Sequence, residues 1–195
     1  MLERIRSRLG TGSVLLLGYG REGRSSRAFL QSHFPDIPLL IADRRLPADE
    51  TLAGVTAWTG DNYLDSISHA AVVMKSPGIS LSRSIRDDLG ARLTSQSDLF
   101  LDATRRPTIG ITGSAGNSTT SSLTHHLLRT GQMESRLIGN IGIPPLDVLP
   151  DLEETSVVVF ELSSHQLQSI HRSPSLAVFL NFFPEHLDYY ESVDE

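Results

Sequence analysis

Cysteine is missing from this 195-residue chain, which excludes disulfide bridges and thiolate metal sites. No apolar run approaches the roughly 18 residues that a membrane-spanning helix needs, so no membrane span is expected. Positive charge is also scarce: 17 Lys and Arg against 23 Asp and Glu give a formal net charge of −6. A chain built to neutralise a phosphate backbone carries the opposite balance, and nucleic acid is not an expected partner. The opening "MLERIRSRLG" is basic but has no apolar centre and no small-residue cleavage site, so it does not read as a signal peptide. The cytoplasm is the expected compartment. With 39% hydrophobic and 21% charged residues the composition is that of a globular protein, with room for one large domain or two small ones.

What is present is an alternation of short apolar runs, glycine or polar turns, and helical patterns, which predicts an α/β fold with a parallel sheet. Candidate strands are "SVLLLG" (13–18), "PLLIAD" (38–43), "AAVVMK" (70–75), "PTIGIT" (107–112), "SVVVFE" (156–161) and "LAVFLN" (176–181). Most are continuous rather than alternating, as strands covered on both faces should be. "REGRSSRAFLQSH", "SRSIRDDLG", "SDLFLDAT" and "STTSSLTHHLLRTG" read as helices, the last closed by Gly131. A second glycine-rich strand-loop-helix begins after residues 95–106, which places a domain boundary there.

"GYGREG" sets Gly18, Gly20 and Gly23 in a G-x-G-x-x-G directly after an apolar strand and before a helix. Glycine there lets the backbone approach a phosphate closely enough for amides and the helix N-terminus to bind it. Asp43 follows at the end of the next strand, where an acid reaches a ribose hydroxyl, and Arg44 and Arg45 could serve a further phosphate. Read cold this is an NAD(P) fingerprint; the alternative is that the glycines only let helix and strand pack. "KSPGIS", at the end of the strand that closes near Lys75, reads at least as well as a plain proline-glycine turn as it does as a functional one.

"GITGSAGNSTT" (110–120) has the outline of a phosphate-binding loop, with glycines at 113 and 116 and hydroxyls at 118 and 119. A working P-loop cradles phosphates with backbone amides, neutralises them with a lysine and holds Mg²⁺ with a Ser or Thr. Here position 117 is Asn, and the glycines are closer together than the general pattern has them. Losing one charge-assisted contact to a triphosphate costs roughly 1.5 to 3 kcal/mol. Glu161 ends "SVVVFE", where a carboxylate can meet a nucleotide's metal or simply face solvent. His165, His171 and His186 do not form a zinc spacing, and "HH" at 125 and 126 reads as an exposed helix face.

In order and spacing, "LLLGYGREGRSS", "KSPGIS", "GITGSAGNSTT", "GNIGIPPLD", "FELSSHQLQ" and "LNFFPEHLDYY" resemble the Mur ligases, and among them the D-glutamate-adding type; the resemblance covers essentially the whole chain. It implies a Rossmann-like N-terminal domain (1–95) that binds a UDP-sugar, followed by part of a P-loop-type parallel-sheet ATPase domain (96–195). It implies ATP and Mg²⁺, with UDP-N-acetylmuramoyl-L-alanine and D-glutamate joined through an acyl phosphate in peptidoglycan synthesis. Gly18, Tyr19, Gly20, Asp43, Arg44, Ser76 and Gly78 would hold uridine and diphosphate. Gly113, Ser114, Gly116, Asn117, Ser118 and Thr119 would hold ATP, with Ser118, Glu161 and His186 toward metal and Asn140, Glu161 and His186 as the catalytic set. The family pattern has lysine at position 117, often lysine or asparagine at the position of Ala115, and further chain beyond Glu195. The expectation is therefore a portion that binds the UDP-sugar without turning over alone, and that leaves a sheet edge and apolar faces uncovered. A non-catalytic sugar-nucleotide binder is the reading that Asn117 favours, and an NAD(P)-dependent oxidoreductase the one that rests on Gly18 to Gly23 with Asp43.

Overall fold

The computed structural model describes residues 1–47, 52, 54–187, 189 and 190. Two all-parallel sheets follow one another along the chain. Helix α1 (Leu2–Leu9) leads into β1 (Val14–Leu17), α2 (Arg21–His33), β2 (Leu39–Ala42), β3 (Thr56–Trp58), a 3-10 turn at Tyr63–His69, β4 (Val72–Lys75), α3 (Arg83–Leu89) and β5 (Leu93–Thr94). These strands form a sheet in the order β3-β2-β1-β4-β5, every pair parallel. All four residues of β1 and of β4 are buried, as central strands covered by helices on both faces must be. The strand order reverses between β1 and β4, and the crevice beyond that switch point is where open α/β sheets take ligands.

Helix α4 (Gln96–Ala103) connects to β6 (Thr108–Thr112), α5 (Asn117–Thr130), β7 (Ser135–Gly139), α6 (Pro145–Val148), β8 (Val157–Glu161), α7 (Ser164–Leu167) and β9 (Leu176–Phe179). The second sheet runs β7-β8-β6-β9, again parallel throughout. Gly131 closes α5, its amide donating to Leu127 O at 2.9 Å. His126 is exposed as the sequence suggests, but His125 is half-buried with Nδ1 2.9 Å from Ser135 Oγ, because α5 lies along β7. Leu176 and Phe179 on the outer strand β9, and Phe182, Phe183 and Leu187 beyond it, are exposed; this is the uncovered edge that the sequence leads one to expect.

One hydrophobic cluster runs through both units: Leu16, Phe29 and Leu30 from the first, Phe100 from α4, and Leu146, Val158 and Phe160 from the second. Phe100 and Phe160 meet edge to face at 5.6 Å. At its rim sits Gln96, buried, whose amide donates to Glu22 O, Ser25 Oγ and Ser26 Oγ at 2.8 to 2.9 Å and whose oxygen accepts from Leu146 N at 3.2 Å. Asp98 on the next turn accepts from Thr94 Oγ1 and His171 N, each at 2.8 Å. These polar rivets satisfy groups whose burial without partners would cost about 1–3 kcal/mol each, and they fix how the two sheets meet.

Lys75, at the end of β4, is buried and donates to Ile79 O at 2.8 Å. Burial, reinforced by Arg86 and opposed by Glu22, pushes its ammonium down to about 8 from the ordinary 10.5. Between these values the unfolded chain holds a proton that the folded protein has released, so stability rises with pH through that window and the cost is fully present below it. Relative to Lys75→Met, the protein should gain about 2 kcal/mol between pH 7.5 and 10. Urea unfolding of both at the two pH values checks this, and a difference that stays flat would show an unperturbed ammonium.

Candidate functional site

The turns after β1 and β4 build the first half of the site. Ser76 Oγ donates to Gly18 O at 2.9 Å, and the Ser76 amide to Leu17 O at 2.8 Å, so the two turns share one wall. Gly18 is in the left-handed region (φ +93°), and a Cβ there would lie 2.8 Å from Ser76 Cβ and Ile79 Cγ1. Asp43 leaves β2 and accepts from the Tyr19 amide at 2.6 Å and the Arg45 amide at 3.1 Å, which fixes the glycine loop from the side. The Tyr19 ring is buried, and its hydroxyl accepts from Arg27 at 2.9 Å; it holds α2 on the sheet and presents only backbone to the crevice. Gly20, Gly78 and Arg44 are exposed, with Arg44 4.0 Å from Asp61.

The second half lies at the same edge of the other sheet. A cavity of about 290 Å³ is lined by residues 113–119 together with Asn140, Glu161, Ser163, Ser164, Glu185 and His186. The loop takes its shape from Asn181, just past β9: Asn181 O accepts from the Ser114 amide at 3.1 Å, and its side chain makes two 2.9 Å bonds with the Ala115 backbone. Gly116 enters α5 with φ +86°, and no side chain caps the first turn, so the orphan amides of a helix N-terminus remain for an anion. Asn117 turns back, its Nδ2 donating to Gly113 O at 2.5 Å.

Glu161 is the centre of this half. Its carboxylate is buried and accepts from Ser118 Oγ at 3.1 Å, Asn140 Nδ2 at 3.2 Å and the Ile141 amide at 3.2 Å. It does not face solvent, because β8 is interior to its sheet and the Gly139–Ile143 turn folds over its end. Glu161 and Ser118 supply two hard oxygen ligands, which suits Mg²⁺, a cation that keeps several waters and is held through one or two carboxylates plus phosphate oxygens. Among the described residues, no group of three His, Cys, Asp or Glu could hold a metal unaided. His186 lines the same cavity, 3.7 Å from Glu185 and with its ring 4.8 Å from that of His165.

Side chains from one unit reach into the other between the two halves. Arg21, in the first glycine loop, donates to Asn140 O at 3.3 Å; Gln166 of α7 donates to Glu22 at 3.2 Å; Lys75 and Tyr189 lie 3.2 Å apart. Burial pushes the Glu22 carboxyl up, against the opposing Gln166 hydrogen bond and the charges of Arg21 and Lys75. The expected residues therefore fall into two groups, Gly18 to Gly20 with Asp43, Ser76 and Gly78, and Gly113 to Thr119 with Asn140, Glu161 and His186, at adjoining sheet edges. Sequence reading does not single out Asn181, Gln166, Lys75 or Tyr189. Their contacts join residues far apart in the chain, and only the quoted motifs "KSPGIS", "FELSSHQLQ" and "LNFFPEHLDYY", which contain them, carry a signal for them.

Comparison with known proteins places the chain among related sequences. The family described as Mur ligase middle domain matches residues 111–195. The chain is 37% identical over 147 residues to a UDP-N-acetylmuramoylalanine-D-glutamate ligase of Symbiobacterium thermophilum, covering 73% of this chain and 32% of that protein. It is 38% identical over 184 residues to a UDP-N-acetylmuramoyl-L-alanine-L-glutamate ligase of Micromonospora, covering 90% of this chain and 40% of that protein. A Bacillus cereus UDP-N-acetylmuramoylalanine-D-glutamate ligase is 32% identical over 192 residues, covering 94% of this chain and 43% of that protein. The chain thus spans 32% to 43% of the length of these relatives. With two nucleotide-type loops set at adjoining parallel-sheet edges and this identity across most of its residues, the chain belongs to the Mur ligase family.

Proposed function

We propose that this chain is the nucleotide-binding part of an ADP-forming ligase of the MurD type, which joins glutamate to UDP-N-acetylmuramoyl-L-alanine in peptidoglycan synthesis. Residues 1–95 form the UDP-sugar domain and residues 96–195 part of the ATP-binding domain. The observation that carries this reading is the placement of the uncapped second loop, with Ser118 and Asn140 bonded to buried Glu161, beside the first glycine loop through Arg21, Glu22 and Lys75. A sugar nucleotide held at Gly18, Gly20, Asp43, Arg44, Ser76 and Gly78 would then bring its carboxylate toward the second loop.

In the proposed reaction a carboxylate oxygen of the sugar-linked alanine attacks the γ-phosphorus of ATP and ADP leaves; the amino group of glutamate then attacks the acyl carbon and phosphate leaves. Bound Mg²⁺ would neutralise charge on the phosphates, with Ser118, Glu161 and His186 as its protein partners. The α5 amides orient the phosphates, Asn140 holds the Glu161 carboxylate in place, and exclusion of water protects the acyl phosphate. The configuration of the added glutamate is proposed as D, the form named for the Symbiobacterium and Bacillus relatives.

Calorimetric titration of the protein with UDP-N-acetylmuramoyl-L-alanine, with NADPH as competitor, tests the first half. Saturable binding that NADPH does not displace is expected; displacement by NADPH would return the first loop to a dinucleotide reading. Phosphate release from ATP that requires both the UDP-sugar and glutamate, D- or L-, in a chain extended to the length of its relatives tests the second half. If that extended chain and its Asn117→Lys variant bind both nucleotides and never release phosphate, the protein is instead a sugar-nucleotide binder, the reading favoured by Asn117.

A further inference from the structure

Lys75 is buried at the point where the strand order reverses between β1 and β4, and the reaction proposed above gives it no task. It is the single lysine of the chain. In register it pairs with Leu17, the residue before Gly18, so it stands directly behind the first glycine loop. Among the described residues its hydrogen-bond partners are neutral oxygens: Ile79 O at 2.8 Å, the Tyr189 hydroxyl at 3.2 Å, Ser76 O at 3.3 Å and Pro77 O at 3.5 Å. The charged groups that face it are Arg86 of α3, which works against its protonation, and Glu22 of α2, which favours it. A buried ammonium with no carboxylate bonded to it lowers stability, and it raises the affinity of the neighbouring crevice for an anion.

The turn that Lys75 grips is the one that carries Ser76 and Gly78. Three of its carbonyls point inward to Nζ. A planar trans peptide sets its N–H opposite its C=O, so the Gly78 amide, which shares a peptide with Pro77 O, faces away from the lysine, and Gly78 is exposed. Ser76 Oγ meanwhile bridges to Gly18 O at 2.9 Å, which ties this turn to the glycine loop. Tyr189 braces the same carbonyls from the second unit, its hydroxyl 2.8 Å from Ile79 O and 3.2 Å from Pro77 O. Ammonium and phenol together hold the backbone of the turn from behind and leave its outer side to the crevice.

Resting on the reading of this crevice as the sugar-nucleotide site, we propose that Lys75 is a positioning residue for the diphosphate: it orients the turn from Ser76 to Ile79 and supplies, from behind it, positive charge that the diphosphate meets. A lysine that served the fold alone would hold the same carbonyls, and the two roles differ in how binding depends on pH. Burial, ahead of the charge on Arg86, pushes the ammonium down to about 8, so its charge is largely present at pH 7 and largely gone by pH 9. Arg86 stays charged throughout, and so does the diphosphate of a sugar nucleotide. An anion bound nearby favours the protonated lysine, and by linkage affinity for that anion falls as pH rises through this window.

The test is calorimetric titration of the protein and of Lys75→Met with UDP-N-acetylmuramoyl-L-alanine at pH 7 and pH 9. At pH 7 the variant should bind about tenfold more weakly, and wild-type affinity should fall about fivefold from pH 7 to pH 9 while the variant's changes by less than about twofold. Wild-type affinity that stays within about twofold across the two pH values would overturn the proposal and leave the sugar-nucleotide reading standing. Equal affinity of the two proteins at pH 7 would overturn it as well. So would a Lys75→Met profile as steep as the wild type's, by placing the titration on another group, Glu22 or the uracil. Absence of binding by the wild-type protein at both pH values would remove the sugar-nucleotide reading, and the proposal with it. If Lys75→Met does not fold, Lys75→Gln takes its place; it keeps N–H donors for the carbonyls without the charge, and the same flat profile is expected of it.

Discussion

Asn117→Lys is expected to raise ATP affinity roughly tenfold or more and, in a chain extended to the length of its relatives, to increase ATP-dependent phosphate release on the order of a hundredfold or more. The binding gain follows from one added charge-assisted contact, about 1.5–3 kcal/mol. The gain in rate should exceed it, because a preorganised cation acts on charge that develops as the γ-phosphoryl transfers, and removing one such group typically costs about 10²–10³ in kcat. The exchange asks little of the fold. Asn117 stands at the first position of α5, and the contact that is lost is its bond to Gly113 O. Asn181 still holds Ser114 and Ala115 from outside the loop, so the cradle keeps its shape. A cation at a helix N-terminus costs about 0.3–1 kcal/mol, offset in part by the better helix propensity of lysine and by removal of the partnerless buried Asn117 Oδ1. Thermal unfolding should therefore move by no more than a few degrees. A folded variant with neither tighter ATP binding nor faster phosphate release would show that the loop does not receive a triphosphate.

This single position also shows how far the sequence reaches. The loop, its helix and Glu161 are legible because strand, glycine turn and helix are contiguous, and the continuous apolar runs of β1, β4 and β8 leave little choice but interior strands. The ends of α2 and α5 are equally plain, since glycines mark where each begins. By contrast β3, β5 and β7 are read only in the structure. "TAW" and "LT" are too short to carry a period, and their strand state comes from pairing with β2 and β4 rather than from their own residues. Asp43 stands where an acid is expected to meet a ribose, and in the folded chain both its oxygens accept backbone amides. The cross-links through Gln96, Gln166 and Lys75 join residues dozens of positions apart, for which no local pattern exists.

The three glycines of "GYGREG" look alike in sequence and should behave differently on substitution, which gives the second large effect. A Cβ on Gly23 would lie 2.3 Å from the Gly18 carbonyl oxygen and 3.1 Å from its carbon. Both are backbone atoms of the loop below, so no side-chain rotation relieves the clash, and α2 would have to slide off the sheet, dragging Glu22, Ser25 and Ser26 from Gln96 and Gln166. Overpacking of this kind costs about 1–3 kcal/mol and more where backbone must move, and the lost interface bonds add to it. Gly23→Ala should therefore lower stability by about 3 kcal/mol or more, or roughly 6–12 °C in Tm for a chain of this size. At Gly20 φ is −77° and a Cβ would meet nothing within 4 Å, so Gly20→Ala should leave the unfolding midpoint within about two degrees, since surface changes usually stay within ±0.5 kcal/mol. That open space is where a diphosphate would approach the backbone, and the same methyl group should weaken UDP-sugar binding by about tenfold or more by steric exclusion. Denaturation and UDP-sugar titration of the two variants separate the roles: Gly23 supports the packing of helix on strand, and Gly20 supports the ligand. Equal unfolding midpoints would show that Gly23 has no special role in packing helix on strand, and unchanged UDP-sugar affinity in Gly20→Ala would show that the sugar nucleotide binds elsewhere.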